Sequence, residues 1–270
     1  MGKRKAFTLI ELLVVIAIIA LLMSILMPAL TRVKKQARTV ACLGLLKQWS
    51  LYFSMYTDAH DGSFMQGFRT SPPNRWVSAM GDYHKWNSEL TCCPNATKPW
   101  EDEYGNSSGM EGTFLGSTSA WGWTEQGHWA APMKGSFGMN GYCVNPPPGA
   151  EPHNHPKNYF WRKSGVSGSA YAPLFLGALR YNGWPLYTDR PPDFDGQQWN
   201  DDAQMGRYCM NRHGGFNNCL FLDYSARKVG LKELWTLKWH PLYLESGPWT
   251  KAGGVMSGDW PDWLRSLKDY

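Results

Sequence analysis

Residues 7 to 30 read FTLIELLVVIAIIALLMSILMPAL, with an unbroken apolar run from Leu12 to Met23. At 1.5 Å per residue a helix of this length crosses the roughly 30 Å of hydrocarbon in a bilayer. Ahead of it stands the short basic leader MGKRKA. A cleaved secretory signal carries its small-residue cleavage site after the apolar region. Here the small residue, Ala6, comes before it. Glu11 is a second departure from a plain anchor, because an ionised carboxylate in lipid costs roughly 2.5 to 3.5 kcal/mol at mid-depth. An acid at that place calls for a partner.

Beyond Leu30 the apolar pattern turns one-sided. Leu30, Val33, Ala37, Val40, Ala41, Leu45, Trp49, Tyr52 and Tyr56 recur at helical spacing, with Arg32, Lys34, Lys35, Arg38 and Lys47 largely between them. The pattern predicts one helix to about Tyr56, a rod of roughly 75 Å whose first half is apolar all round. Pro28 lies inside it, where the missing N–H predicts a distortion.

The order of these features resembles the N-terminal processing signal of type IV prepilins and type II secretion pseudopilins: Lys3-Arg4-Lys5-Ala6, then Phe7-Thr8-Leu9-Ile10-Glu11. The resemblance implies that a prepilin peptidase of the inner membrane cuts between Ala6 and Phe7 and that the new Phe7 amine is N-methylated. It further implies that Glu11 neutralises the N-terminal amine of a neighbouring subunit in a filament, and that Pro28 matches the helix-distorting proline of many pilins. Ala6 departs from the family, which usually has glycine there. The same segment read without the resemblance is an uncleaved single-pass anchor.

The rest of the chain is unlike its start. Of the net charge of +5, residues 1 to 57 hold +7, eight Lys or Arg against Glu11, so residues 58 to 270 carry −2. The basic character belongs to the N-terminus, and the larger part offers no electrostatic case for nucleic-acid binding. The overall composition, 43% hydrophobic and 18% charged, leaves room for one membrane-crossing segment. From Asp58 on, turn signals such as His60-Asp61-Gly62 and Pro146-Pro147-Pro148-Gly149 separate short strand candidates. These are Ser136 to Val144, Ala172 to Arg180, Asn218 to Leu222 and Ala226 to Leu231, the last two flanking a hairpin turn at Asp223-Tyr224-Ser225. Residues 95 to 135 and 145 to 170 read as long loops. The expected fold is α+β and pilin-like: one long helix, its first half transmembrane, packed against an antiparallel β-sheet head. Its expected divisions are a leader at 1–6, a membrane or filament-core helix at 7–30, its amphipathic continuation at 31–57 and an extracytoplasmic head at 58–270.

A second resemblance lies at Arg212-His213-Gly214-Gly215 and Phe221-Leu222-Asp223-Tyr224. His213, nine intervening residues and Asp223 are similar to the H-X9-DG motif of prepilin-like proteins abundant in Planctomycetes and Lentisphaerae, with Tyr224 in place of the glycine. Ser136 to Asn140 and Cys93-Pro94 also look like segments of that family. The family assigns no biochemical role to the pair. Structural roles are the simpler reading, an Asp at a turn and a hydrogen-bonded His. An anchored enzyme would need His213 and Asp223 to face one pocket.

Of six cysteines, Cys92, Cys93, Cys143, Cys209 and Cys219 lie in the head and are candidates for one or two disulfides, while Cys42 reads as a small apolar helix residue. With Cys92 and Cys93 adjacent, His153 and His155 nearby and no Cys-x-x-Cys pair, the sequence predicts no metal site and no cofactor. Fourteen of fifteen tryptophans fall between Trp76 and Trp263. They are either large packing residues of a loop-rich domain or surface rings that stack on sugars. The function expected is a structural, non-enzymatic subunit of a type IV pilus-like filament or secretion pseudopilus, a single-pass inner-membrane protein before assembly and part of a periplasmic or surface filament after it. Its expected partners are the peptidase, other pilin or pseudopilin subunits and the inner membrane. The alternative is a membrane-anchored surface protein that holds polysaccharide through exposed Trp.

Overall fold

The computed structural model describes residues 9–67, 75–96, 116–123, 133–197 and 203–270. Helix α1, Leu9–Asp58, runs unbroken through Pro28. Hydroxyls within its apolar part are satisfied locally: Ser24 donates to the Leu21 carbonyl at 2.7 Å and Thr31 to the Met27 carbonyl at 2.9 Å. At its C-terminal end Gly62, with φ of 76°, donates to the Thr57 carbonyl at 2.8 Å, and the chain turns away.

Residues 9 to 38 are exposed along their whole length, about 44 Å of helix. The remainder docks on the head through Thr39, Cys42, Leu46, Trp49, Ser50, Phe53 and Thr57. This stripe is rotated from the one expected. Trp49 is on it and Leu45, Tyr52 and Tyr56 flank it, but Leu30, Val33, Ala37, Val40 and Ala41 face outward. The displacement comes from Thr39, Ser50 and Thr57, whose hydroxyls bond back to the carbonyls of Lys35, Lys47 and Phe53. A hydroxyl satisfied by its own helix can enter the core at little cost.

The head begins with three short helices, α2 (Trp76–Ala79), α3 (Gly81–His84) and α4 (Ser88–Thr91), followed by the antiparallel pair β1 (Trp121–Trp123) and β2 (Met133–Gly135). The main sheet contains β3 (Phe137–Asn140), β4 (Pro173–Gly177), β5 (Asn182–Gly183), β6 (Phe216–Phe221) and β7 (Ala226–Gly230), in the order β5-β3-β4-β6-β7. All neighbouring pairs are antiparallel except β3 with β5, which is parallel. The sheet is therefore mixed at one edge. Phe175 of β4 meets the helix: its ring centre lies 4.8 Å from Trp49, 5.5 Å from Phe53 and 4.9 Å from Trp76. A single-turn helix, α5 (Asp262–Arg265), closes the chain against this core through Leu264.

The β6–β7 hairpin turns at Asp223, whose Oδ1 accepts from the Ser225 N–H at 2.9 Å. Tyr224, where the H-X9-DG pattern has glycine, stands at φ of 62°. That left-handed conformation is costly for a side chain with a Cβ. Its phenol reaches α1 and bonds the Thr57 hydroxyl at 2.8 Å. Because Thr57 donates its own proton to Phe53, the phenol is the donor. Tyr224→Phe is expected to destabilise the chain by about 1 kcal/mol, read as a lowered urea midpoint with unchanged slope.

The tryptophans resolve the surface-ring alternative among the described residues. Trp76, Trp121, Trp161, Trp184, Trp235, Trp239 and Trp260 are buried, and Trp86, Trp249 and Trp263 are half-buried. Several hand their indole N–H to a carbonyl of non-strand backbone: Trp76 to Tyr181, Trp161 to Trp239, Trp235 to Asp189, Trp239 to Leu234 and Trp263 to Pro192. At these places tryptophan supplies apolar area and a donor together. The ten rings are arranged as packing residues, not as an exposed array. Trp100, Trp129 and Trp199 lie outside the described residues.

Candidate functional site

The exposed half of α1 is a continuous apolar surface. Leu9, Ile10, Leu12, Leu13, Ile16, Ile25 and Leu26 are each more than half exposed, and together they far exceed the apolar patch a soluble monomer tolerates. The helix is long and apolar enough to cross a membrane. Glu11 lies in its first described turn and Pro28 near its middle, both exposed. Ala6 and Phe7 lie outside the described residues.

A second constellation sits where α1 enters the head. His213, half-buried ahead of β6, has Nδ1 at 3.1 Å from Thr39 Oγ1 and Nε2 at 3.3 Å from Cys93 Sγ. Cys42 on α1 completes a trio whose ligand atoms all lie within 4.8 Å of one another. Beneath it the Arg212 guanidinium is buried and donates to the carbonyls of Ser117, Ser119, Ser136 and Ala178. The hydrogen bond between the two thiols, with Cys93 as acceptor, holds Cys93 well below the ordinary thiol range. The His213 contact and the charge of Arg212 act in the same sense, and burial opposes them. The same thiol–thiol bond and burial push Cys42 up.

Sequence reasoning put His213 and Asp223 in one motif, but the structure separates them. The strand β6, about 17 Å long, runs between them, and Asp223 is an exposed turn residue at its far end. They do not face one pocket, as an anchored enzyme would have required. All six cysteines are free thiols. Cys143, Cys209 and Cys219 are fully buried and desolvation raises their thiols, whereas Cys92 is half-buried beside the trio and outside it. His153 packs on Trp184 and His155 on Tyr159, so neither joins a cysteine. The sequence does not disclose the trio, because residues 42, 93 and 213 share no spacing signature; the Cys93-Pro94 and His213 segments stand out in it, but Cys42 reads as packing.

Residues 1–27 match the family model for the prokaryotic N-terminal methylation motif. Over 93 residues the chain is 33% identical to ComG operon protein 3 homolog of Bacillus licheniformis, an alignment covering 34% of this chain and 84% of that protein. The chain belongs to the prepilin-like family. No solved structure matches it. Membership places this prepilin-like chain among structural rather than catalytic proteins, and its apolar helix fits a membrane-anchored protein of the prepilin type. The family-model match falls on the apolar half of the helix; the trio lies in the part that joins the helix to the head.

Proposed function

We infer that this prepilin-like chain is a filament subunit, cut between Ala6 and Phe7 by a prepilin peptidase, methylated on the Phe7 amine and drawn from the inner membrane into a pilus-like or pseudopilus fibre. The observation that carries this reading is the exposed apolar half of α1 with Glu11 near its start. That surface is equally suited to lipid and to like helices, so transfer from one to the other costs little hydrophobic free energy. In the fibre the α1 helices pack side by side, Glu11 meets the Phe7 amine of a neighbour, and the heads face outward.

The function is assembly, and the protein works by changing partners rather than by turnover. Mass spectrometry of the protein recovered from cell-surface or periplasmic filaments is expected to show an N-terminal methylphenylalanine at residue 7. Recovery of chains that all begin at Met1, or only of solitary molecules, would reject the reading in favour of a plain anchor.

A further inference from the structure

Three soft donor atoms from three separate stretches of chain meet at the first buried turns of α1. They belong to Cys42 of α1, Cys93 of the loop after α4 and His213 of the loop before β6. A tetrahedral ion with bonds of 2.0 to 2.3 Å sets its ligands about 3.5 Å apart. The 3.3 Å between Cys93 Sγ and His213 Nε2 and the 4.8 Å limit on the trio are close to that edge, so small side-chain adjustments suffice to close a site.

The surroundings hold the imidazole in place. Thr39 Oγ1, which donates to the Lys35 carbonyl at 2.9 Å, lies 3.1 Å from His213 Nδ1. Nε2 is thereby the ring nitrogen turned toward Cys93 Sγ, 3.3 Å away. A ligating histidine held through its other nitrogen has this arrangement. Asn95 supports the loop: its side-chain amide donates to the Arg212 carbonyl at 2.7 Å, and its approach to Nδ1, at 3.3 Å, is the longer of the two contacts. The buried Arg212 guanidinium adds positive charge beside the two sulfurs, which favours their deprotonated, ligating form.

We propose that Cys42, Cys93 and His213 bind one thiophilic d10 cation, zinc(II) or copper(I), and so clamp helix α1 to the head. Two thiolates and a neutral imidazole are soft ligands that select such ions over calcium or magnesium. Binding releases to solvent whatever protons the two sulfurs still carry, that of Cys42 foremost, and moves no electron. With His213 half-buried, zinc keeps a fourth position for water, while copper(I) is content with three ligands. A disulfide between Cys42 and Cys93 is the rival use of the same sulfurs. It leaves His213, whose Nε2 is turned toward Cys93 Sγ, without a part.

The test uses the full chain, purified in detergent micelles without metal and under reducing, oxygen-free conditions. Zinc(II) and copper(I) are titrated in separate arms against chromophoric chelators, and cobalt(II) serves as the optical reporter for the zinc arm. One equivalent is expected in at least one arm, with thiolate-to-cobalt charge-transfer absorption if zinc is the ion and a raised melting temperature on loading. Cys93→Ser and His213→Gln are expected to lose stoichiometric binding, and Cys92→Ser to keep it. His213→Gln preserves size and polarity, so it answers if Cys93→Ser fails to fold. Absence of stoichiometric binding by the unaltered chain in both arms overturns the proposal, as does unchanged binding by His213→Gln. Peptide mapping that finds Cys42 and Cys93 joined in protein taken from cells without reductant overturns it too.

Discussion

Trp49→Ala is expected to remove about 3 to 5 kcal/mol of stability, a large share of what a domain of this size possesses. Trp49 is fully buried on the docking stripe of α1. Its ring centre lies 4.8 Å from Phe175, 5.4 Å from Trp76 and 5.5 Å from His84, so it touches the sheet, α2 and α3 together. Its indole N–H donates to the Leu90 carbonyl at 2.7 Å, which ties α4 to the same point. No neighbour can fill the space without leaving another element, and the Leu90 carbonyl loses its donor. Urea unfolding of the detergent-solubilised chain, followed by near-ultraviolet circular dichroism, measures the effect. The far-ultraviolet signal should fall less, because the apolar half of α1 keeps its helix in the micelle. Trp49→Phe retains much of the contact and is expected to cost about half as much. A loss below about 1 kcal/mol for the alanine variant would mean that α1 is not held by this cluster.

The extent of α1 and the positions of its neighbours were legible because they rest on long, repeated signals. The helix expected to about Tyr56 ends at Asp58, and the hairpin at Asp223-Tyr224-Ser225 joins β6 to β7. The strands expected at Ser136 to Val144 and Ala172 to Arg180 are shorter, Phe137–Asn140 and Pro173–Gly177. What the sequence hid was decided by pairings that periodicity does not encode. The docking face of α1 includes Thr39, Ser50 and Thr57, which a hydrophobicity pattern assigns to solvent. Strand β5 is two residues long, below any pattern, yet it changes an antiparallel sheet into a mixed one. Several buried tryptophans, Trp76, Trp161 and Trp235 among them, hand their N–H groups to loop carbonyls, a demand visible only once the loops have a path. Cys42 joined Cys93 and His213 for the same reason: the sheet brings the two loops to the helix, and sequence distance conceals it. Within the apolar half of α1 the reverse holds. Glu11 is conspicuous in the sequence itself, since its carboxylate interrupts a stretch where nearly every other residue is apolar.

Replacing Glu11 by alanine is therefore expected to leave the chain in the membrane and all but eliminate it from filaments. The carboxylate costs roughly 2.5 to 3.5 kcal/mol at mid-depth in lipid and less near an interface, so its removal makes membrane residence no worse. What changes is the difference between the two environments. In the fibre proposed above the carboxylate would meet the Phe7 amine of a neighbour, and a low-dielectric ion pair that loses one member leaves the other buried and uncompensated, at about 3 to 5 kcal/mol. A penalty of that size shifts the partition between membrane and fibre by a factor on the order of a hundred or more. Glu11→Gln keeps the length and hydrogen bonding of the side chain but not its charge, and is expected to fail nearly as completely; Glu11→Asp, which keeps the charge on a shorter arm, is expected to retain part of the incorporation. Quantitative blotting of sheared filaments against membrane fractions reads both sides of the partition. Normal incorporation of the alanine variant would show that the carboxylate has no role in subunit contact. Normal incorporation of the glutamine variant alone would show that a hydrogen bond, rather than charge neutralisation, holds neighbouring subunits together.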